Sequence, residues 1–205
     1  MKPEAKIMLK TVEFLFDVGS PYTYLAYHRL PKLAQIHGAG IVWTPVLLGG
    51  IFQATGNKSP AEVPAKGQHL NVDLQRWAHA YGVEIQMNPD FPINTLPLMR
   101  GAVAMQSRSD EEFHRYLRAV FGAMFGRPRN LNIPSEVGAV LADAGFDPVE
   151  FMALINDQSV KDRLKANTTD AVARGAFGAP TFFVGEDMFW GQDRLQFVEQ
   201  AIAKL

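Results

Sequence analysis

The fold is decided by a short stretch near the N-terminus, Val12–Tyr22, which reads VEFLFDVGSPY. Its apolar first half stops at Asp17, and Ser20-Pro21 then opens an amphipathic segment that reaches roughly to Gly38. The pattern predicts a strand that runs into a helix, with Ser20 as the N-cap and Pro21 at the first helical position. A side chain at such a corner faces unpaired backbone N–H groups and the positive end of the helix dipole. The corner therefore suits an anion such as a thiolate, although the same dipeptide also begins many helices that have only a structural role.

The composition is that of an ordinary globular protein of 205 residues with a net charge of −1 and no block of like charge. Nothing in it suggests a face for nucleic acid or for a membrane surface. The chain has no cysteine, which excludes disulfides, thiolate metal sites and a Cys-X-X-Cys redox centre. The five histidines are scattered without the spacing of metal ligands, so we predict no metal site.

The first ten residues lack the apolar core and the small-residue cleavage site of a secretion signal. No apolar run approaches the ~20 residues that a membrane helix needs. We therefore expect a cytoplasmic protein.

The spacing of apolar residues divides the chain before residue 174 into two regions. The segment Val12–Leu48 predicts a strand, a helix and a second strand, which form a β-α-β unit with parallel strands. Residues 59–173 are predicted to be helical throughout apart from a brief alternating stretch at 83–86, with a C-cap at Gly82 and helix starts at Ser109 and Asp147.

The chain returns to strand chemistry at its C-terminal end. From Gly178, two short apolar runs flank a turn at Gly185–Asp187 and precede a final amphipathic helix. The two outer regions then share one mixed sheet. The predicted fold class is α/β: a thioredoxin-like βαβ…ββα sheet with an inserted all-helical domain. Its predicted boundaries are 1–58 plus 174–205 for the thioredoxin-like domain and 59–173 for the insertion.

A second candidate site lies at Ala179-Pro180, where a proline directly precedes a strand. At this point of a thioredoxin-like sheet we expect a cis proline, which leaves the backbone of Ala179 available to an extended, peptide-like ligand. The alternative is an ordinary proline on an edge strand.

Several motifs together resemble one family, the kappa-class glutathione transferases and the bacterial 2-hydroxychromene-2-carboxylate isomerases, which share a DsbA-like thioredoxin fold. The similarity covers nearly the whole chain. The motifs are Ser20-Pro21-Tyr22, Gly56-Asn57-Lys58, Pro64-Ala65-Lys66-Gly67, Asp73-Leu74, Gly175-Ala176-Phe177-Gly178-Ala179-Pro180 and Gly191-Gln192-Asp193-Arg194.

This resemblance implies that glutathione is the cofactor and that Ser20 donates its hydroxyl to the glutathione sulfur. It implies that the backbone of Ala179 pairs with the cysteinyl unit. The other implied binding residues are Asn57 and Lys66 at the glycine carboxylate, Asp193 and Arg194 at the γ-glutamyl end, and Pro180 and Gln192 within the same motifs. Taken singly, Asn57, Lys66, Asp193 and Arg194 also fit turn, cap or surface roles. The family more often has a larger apolar residue where this chain has Gly19, so the resemblance does not define the substrate wall there.

The resemblance also implies an activity. Lowering the pKa of a thiol by ~2 units takes ~2.7 kcal/mol, and a hydrogen bond to a charged group together with a helix N-terminus supplies about that much. We therefore expect a glutathione-dependent isomerase that acts on a small aromatic substrate such as 2-hydroxychromene-2-carboxylate, in a chain that forms homodimers as the family usually does. Two alternatives stay open: a kappa-like transferase and a non-catalytic module that binds thiols or peptides.

Overall fold

The computed structural model of the protein describes residues 10–205. Residues 1–9, which hold most of the segment examined for a secretion signal, lie outside the described residues. The described chain is built from four strands and a larger number of helices. Its elements are β1 Thr11–Phe16, α1 Pro21–Ile36, β2 Gly40–Pro45, α2 Leu48–Thr55, α3 Pro64–Tyr81, α4 Leu96–Arg108, α5 Asp110–Phe121, α6 Pro134–Asp143, α7 Pro148–Leu154, α8 Gln158–Ala173, β3 Thr181–Val184, β4 Asp187–Trp190 and α9 Leu195–Lys204.

The four strands form one mixed sheet in the order β2-β1-β3-β4. β1 and β2 are parallel and place Phe14 opposite Trp43, whereas β1 and β3 are antiparallel and place Phe14 opposite Phe182. β3 and β4 close the sheet as an antiparallel hairpin. The predicted thioredoxin-like arrangement is therefore confirmed, because the closing hairpin adds antiparallel strands beside the parallel pair.

The hydrophobic core is continuous between the sheet and the helices of the middle region. Phe14 stacks on Phe182 with ring centroids 5.2 Å apart, and Phe16 meets Phe113 of α5 at 6.2 Å. All four rings are essentially inaccessible to solvent. The division into a thioredoxin-like domain and an inserted domain at residues 59–173 stays a prediction, and the two predicted parts pack on this shared core.

Three of the helix starts follow the cap signals of the sequence. The side chains of Ser20, Ser109 and Asp147 each accept a hydrogen bond from a backbone N–H in the first turn of α1, α5 and α7. Gly82 ends α3 in a left-handed conformation, with φ of 64°, which a glycine adopts without a steric penalty. These local predictions are confirmed.

The prediction that residues 59–173 are helical apart from the stretch at 83–86 is wrong for residues 87–95. This segment has no regular secondary structure, because two prolines interrupt it and asparagine side chains take over the backbone hydrogen bonds. The Asn88 amide donates to the carbonyl of Arg129 at 2.9 Å, and the N–H of Asn94 donates to Asn132 Oδ1 at 2.9 Å. The segment ends at Thr95, which precedes α4 and takes part in the candidate site.

Two further findings concern residues 10–205. Within them, no helix is both long and apolar enough to cross a membrane. The same residues contain no group of three or more histidine or acidic side chains arranged to hold a metal ion.

Candidate active site

Ser20 stands at the centre of the candidate site, at the N-cap of α1. Its Oγ accepts a hydrogen bond from the Thr23 N–H at 3.2 Å, and its hydroxyl donates to the carbonyl oxygen of Ala179 at 3.0 Å. Only 6% of Ser20 is exposed to solvent. The fold thus brings together the two sequence signals, the Ser-Pro corner and the Ala179-Pro180 segment, which lie 159 residues apart. The peptide bond between Ala179 and Pro180 is cis.

Asp17 holds the turn that presents Ser20, a role that we did not infer from the sequence. The carboxylate is fully buried and accepts hydrogen bonds from the Gly19 N–H at 2.8 Å, the Leu48 N–H at 2.8 Å and the Thr95 hydroxyl at 3.1 Å. One side chain therefore ties the end of β1 to the first residues of α2 and α4. The available sequence signal was an acidic residue directly after a buried strand, where only a satisfied carboxylate is tolerated.

Burial raises the pKa of the Asp17 carboxyl above its ordinary 3.8, although the three donors act in the opposite direction. The folded state therefore binds this proton more tightly than the unfolded chain does. The resulting stabilisation is full below the unfolded pKa and is lost as the pH rises through the raised folded pKa. We expect the free energy of unfolding of the wild type to fall, relative to that of Asp17→Asn, over the pH range above about 4. Urea unfolding of both proteins across this range tests it, and a constant difference would contradict it.

Gly19 is required by a close approach of Thr95. A Cβ added at Gly19 would lie 2.7 Å from Thr95 Cγ2 and 3.3 Å from Asp17 Oδ1. The glycine thus leaves room for the methyl group of a residue that also holds Asp17. Thr95 is therefore the side chain that packs against Gly19, next to Ser20.

We expect Gly19→Ala to lower the free energy of unfolding by about 1–3 kcal/mol through this overlap. Thr95→Ser removes the methyl group and keeps the hydroxyl, so the double variant should regain most of the loss. Urea unfolding of the two single variants and the double variant measures this coupling. Purely additive effects would show that the overlap is relieved in some other way.

The Ala179 segment is held from two sides. The Asn57 amide donates to the carbonyl of Phe177 at 2.8 Å, and the N–H of Gly191 donates to the carbonyl of Pro180 at 2.9 Å. Within residues 10–205 no hydrogen bond reaches the N–H of Ala179, so this donor remains free for a ligand. Asn57 therefore lies beside the Ala179 segment, which is predicted to pair with the cysteinyl unit of glutathione. Its amide group already donates one hydrogen bond within the chain.

Trp190 covers the same segment. A Cβ at Gly178 would lie 2.6 Å from Trp190 Nε1, and the ring of Phe177 lies 4.8 Å from the indole. The indole is 46% exposed. An aromatic wall, which we did not infer from the sequence, therefore stands next to Ala179.

The motif 191–194 approaches α1 and α3 from β4. The Tyr81 hydroxyl donates to the carbonyl of Gln192 at 3.1 Å. Burial, reinforced by the charge of Asp193 and opposed by that of Arg29, raises the pKa of Tyr81 to about 12. Asp193 itself is paired with Arg194 at 2.8 Å. The two charges predicted for the γ-glutamyl end thus lie side by side.

Gln192 carries an unused acceptor. The residue is 2% exposed, and its Oε1 has no hydrogen-bond partner within residues 10–205. A buried acceptor without a partner costs about 1–3 kcal/mol, which is consistent with a group that a ligand completes.

Lys66 is the predicted residue that the structure leaves furthest from direct contact with the others. It is exposed on α3 and forms no ion pair within the described part of the chain. It stands two helical turns before Asp73, on the same face of α3. The Asp73 carboxylate accepts a hydrogen bond of 2.8 Å from Tyr22 at the start of α1. Tyr22 and Asp73 belong to the resembling motifs, but we had assigned them no role.

Comparisons with known proteins identify the family of the chain. The family model of the DSBA-like thioredoxin domain matches residues 11–203. A 2-hydroxychromene-2-carboxylate isomerase of Pseudomonas putida is 34% identical over 196 residues, which are 95% of each chain. The kappa 1 glutathione S-transferase of Homo sapiens is 27% identical over 207 residues, covering 95% of this chain and 92% of that protein.

Solved structures give the same result. The fold of this chain superimposes on that of a 2-hydroxychromene-2-carboxylate isomerase with a TM-score of 0.84 and 32% identity, over 95% of both chains. A probable DsbA oxidoreductase of Streptomyces coelicolor, at 20% identity and a TM-score of 0.74, shares the fold alone. The chain therefore belongs to the DsbA-like thioredoxin family and, within it, to the family of the 2-hydroxychromene-2-carboxylate isomerases.

Proposed function

We propose that this protein is a glutathione-dependent isomerase that acts on 2-hydroxychromene-2-carboxylate or a similar intermediate of aromatic degradation. The observation that carries the proposal is the Ser20 hydroxyl, held at the N-terminus of α1 and directed to the backbone of Ala179. The isomerases at 32–34% identity support the reaction. The glutathione S-transferases of kappa class, at 26–28% identity, support the cofactor.

The residues present fit glutathione. Its thiolate requires a donor and a positive potential, which the Ser20 hydroxyl and the α1 N-terminus supply. Its peptide portion requires backbone partners, and the N–H of Ala179 is free within residues 10–205. Its ammonium and carboxylates match Asp193, the unpartnered Gln192 Oε1 and the cations Arg194 and Lys66.

Glutathione, when bound, supplies a thiolate that adds reversibly to a conjugated carbon of the substrate and leaves again after rotation about the resulting single bond. Ser20 stabilises the charged sulfur by turning its proton from the Ala179 carbonyl to the ligand. Its Oγ keeps the hydrogen bond from the Thr23 N–H, so this rotation does not uncap α1. Trp190 and Phe177 exclude water from the Ala179 side and offer an aromatic surface to a planar substrate.

The proposal extends to the state and place of the protein. We infer a homodimer, because the resembling family usually forms homodimers, and we propose the cytoplasm as its location. The proposal also assigns the residues that bind the two ends of glutathione. The glycine carboxylate is assigned to Asn57 and Lys66, and the γ-glutamyl end to Asp193 and Arg194. The remaining proposed binding residues are Gln192 and Pro180.

The proposal is tested by titrating the purified protein with glutathione at neutral pH while following thiolate absorbance in the near ultraviolet. We expect a saturable rise that is absent in Ser20→Ala and present in Ser109→Ala, which removes the matching N-cap of α5. No saturation in the wild type would contradict a thiol-activating site.

A second assay separates the isomerase from the kappa-like transferase, whose relatives at 26–28% identity make it the other candidate. Isomerisation of 2-hydroxychromene-2-carboxylate leaves the amount of glutathione unchanged, whereas conjugation consumes it. Binding of glutathione without either product would instead favour a non-catalytic module.

A further inference from the structure

A groove runs along the face of α1 that points away from Asp73 and Tyr81. It is a cavity of about 830 Å³ bounded by α1, β2 and α5. We call it the α1–α5 groove, and six of its lining side chains are aromatic or imidazole rings: Tyr24, Tyr27, His28, Trp43, His114 and Phe121. A second cavity of about 780 Å³ adjoins it and shares Tyr24, His28, Lys32, Arg118 and Gly122 with it.

The rings of the groove are fixed by contacts with one another. The Tyr27 ring lies 4.7 Å from that of Phe121 and 5.9 Å from that of Trp43, and Trp43 lies 5.3 Å from His114. Each ring is therefore held at its edge or face by a neighbour. The groove is a preformed aromatic surface rather than one that must rearrange to accept a flat ligand.

Two cations converge on these rings. Lys32 of α1 and Arg118 of α5 line both cavities, and neither forms an ion pair within residues 10–205. Their charges reach the groove. Burial lowers the pKa of His28 and of His114, and the charges of Lys32 and Arg118, respectively, act in the same direction. Burial raises the pKa of Tyr27, and the charge of Arg118 opposes this.

Little negative charge offsets these cations. Burial lowers the pKa of His114, and the charge of Asp110 at the start of α5 opposes this. Burial raises the pKa of Tyr24, and the charge of Glu84, which lines the adjoining cavity, acts in the same direction. Asp143, which also lines that cavity, is paired with Arg129 at 3.4 Å. Arg115 also lines that cavity and is paired with Glu111 at 3.9 Å and with Glu112 at 3.7 Å, while its buried Nε has no hydrogen-bond partner in the described chain. Among the described residues, the lining of the groove itself thus combines flat apolar walls with two unpaired cations, Lys32 and Arg118, and contains no acidic side chain.

We propose that the α1–α5 groove is a binding site for a planar aromatic carboxylate, separate from the Ser20 site. The rings take up the aromatic part by stacking, and Arg118 with Lys32 binds the carboxylate, which the guanidinium matches in geometry. The inference stands on this groove alone and does not depend on the activity at Ser20.

The periodicity of α1 separates the two sites. Tyr22 and Arg29 are seven residues apart and face α3, where Tyr22 binds Asp73 and Arg29 lies over the ring of Tyr81 at 5.7 Å. Tyr24 and Pro31, also seven residues apart, line the groove. At 3.6 residues per turn, the second pair lies roughly on the opposite side of the helix from the first. A ligand in the groove and a ligand at Ser20 are therefore expected to bind without competing.

The probe for this site is 2-naphthoate, with neutral 2-naphthamide as its uncharged match. Isothermal titration of the full chain should give saturable binding of 2-naphthoate that is unchanged when excess glutathione is present. In Arg118→Gln the affinity for 2-naphthoate should fall by about tenfold or more, and the affinity for 2-naphthamide should stay within about twofold. Arg163→Gln, a change of an exposed arginine on α8 outside the groove, is the matched control and should behave like the wild type.

Tryptophan emission gives an independent readout. The probe should quench emission in the wild type and in Trp190→Phe, and this quenching should be lost in Trp43→Phe, because Trp43 lines the groove and Trp190 does not.

Four outcomes would overturn the proposal. They are the absence of saturable binding, equal losses in Arg118→Gln and Arg163→Gln, displacement of 2-naphthoate by glutathione, and quenching that persists in Trp43→Phe. If binding is absent and sedimentation shows a dimer that Arg118→Glu dissociates, the groove is instead covered by a second copy of the chain.

Discussion

Ser20→Ala is expected to slow isomerisation by about ten- to a hundredfold, the larger of the two kinetic effects that the structure leads us to expect. In the proposed function the lost hydrogen bond is one to a charged sulfur, and such bonds contribute ~1.5–3 kcal/mol. The loss should appear in kcat and in the pKa of the bound thiol, since the thiolate is the form that the hydroxyl stabilises. Steady-state kinetics together with the pH dependence of thiolate absorbance measure both.

The same substitution also has a structural cost. Ser20 caps α1 and bonds the Ala179 carbonyl, so its loss should lower the free energy of unfolding by about 1 kcal/mol. Ser109→Ala removes an equivalent cap from α5 and should cost a similar amount without changing turnover. Equal kinetic losses in the two variants would assign the effect to stability and remove Ser20 from the chemistry.

Asp17→Ala is expected to lower the free energy of unfolding by about 3 kcal/mol or more, the largest stability effect predicted for this chain. Three donors, the N–H groups of Gly19 and Leu48 and the hydroxyl of Thr95, lose their buried acceptor. Each orphaned donor costs about 1–3 kcal/mol, and relief of the buried carboxylate offsets part of the total. The midpoint of thermal unfolding should fall by roughly 6–12 °C for a chain of this size.

Thr95→Val is the matched control for Asp17→Ala. It removes one donor and leaves the carboxylate with the N–H groups of Gly19 and Leu48, so it should cost about a third as much. Differential scanning calorimetry of both variants tests the order. An Asp17→Ala variant as stable as Thr95→Val would mean that water replaces the carboxylate and that Asp17 does not hold the turn. Turnover should fall in Asp17→Ala as well, because the turn that it fixes presents Ser20.

Most of the local structure was predictable because its causes lie within a few residues. The caps at Ser20, Ser109 and Asp147 follow from side chains that bond their own first turns. The strand β1 and the hairpin β3–β4 follow from apolar runs that end at Asp17 and at Gly185. The loop at residues 87–95 was missed because it is governed by asparagine hydrogen bonds to distant residues, which leave no local signal.

The residues of the candidate site were predictable in part. Ser20, Asn57, Ala179, Pro180 and Gln192 lie in the motifs that resemble the family, and the roles assigned to them and to Lys66, Asp193 and Arg194 stay predictions. The parts that hold the site were not predicted: Thr95 and Trp190 carry no local signal of their own, and the signal of Asp17, an acidic residue after a buried strand, does not name its partners. Their roles exist only where an acceptor, a methyl group or an indole meets backbone from another element.

By itself, the sequence determined a chain without cysteine in which the corner at Ser20 is a capped helix start rather than a redox pair. The absence of thiols and the Ser-Pro cap are properties of composition and of adjacent residues. Only the tertiary structure decided that the Ser20 hydroxyl meets Ala179 across 159 residues and that Asp17 meets Thr95 across 78. Such contacts depend on how the sheet and the helices pack around their shared core. Packing of that kind is a sum over many distant side chains, and no single stretch of sequence specifies it.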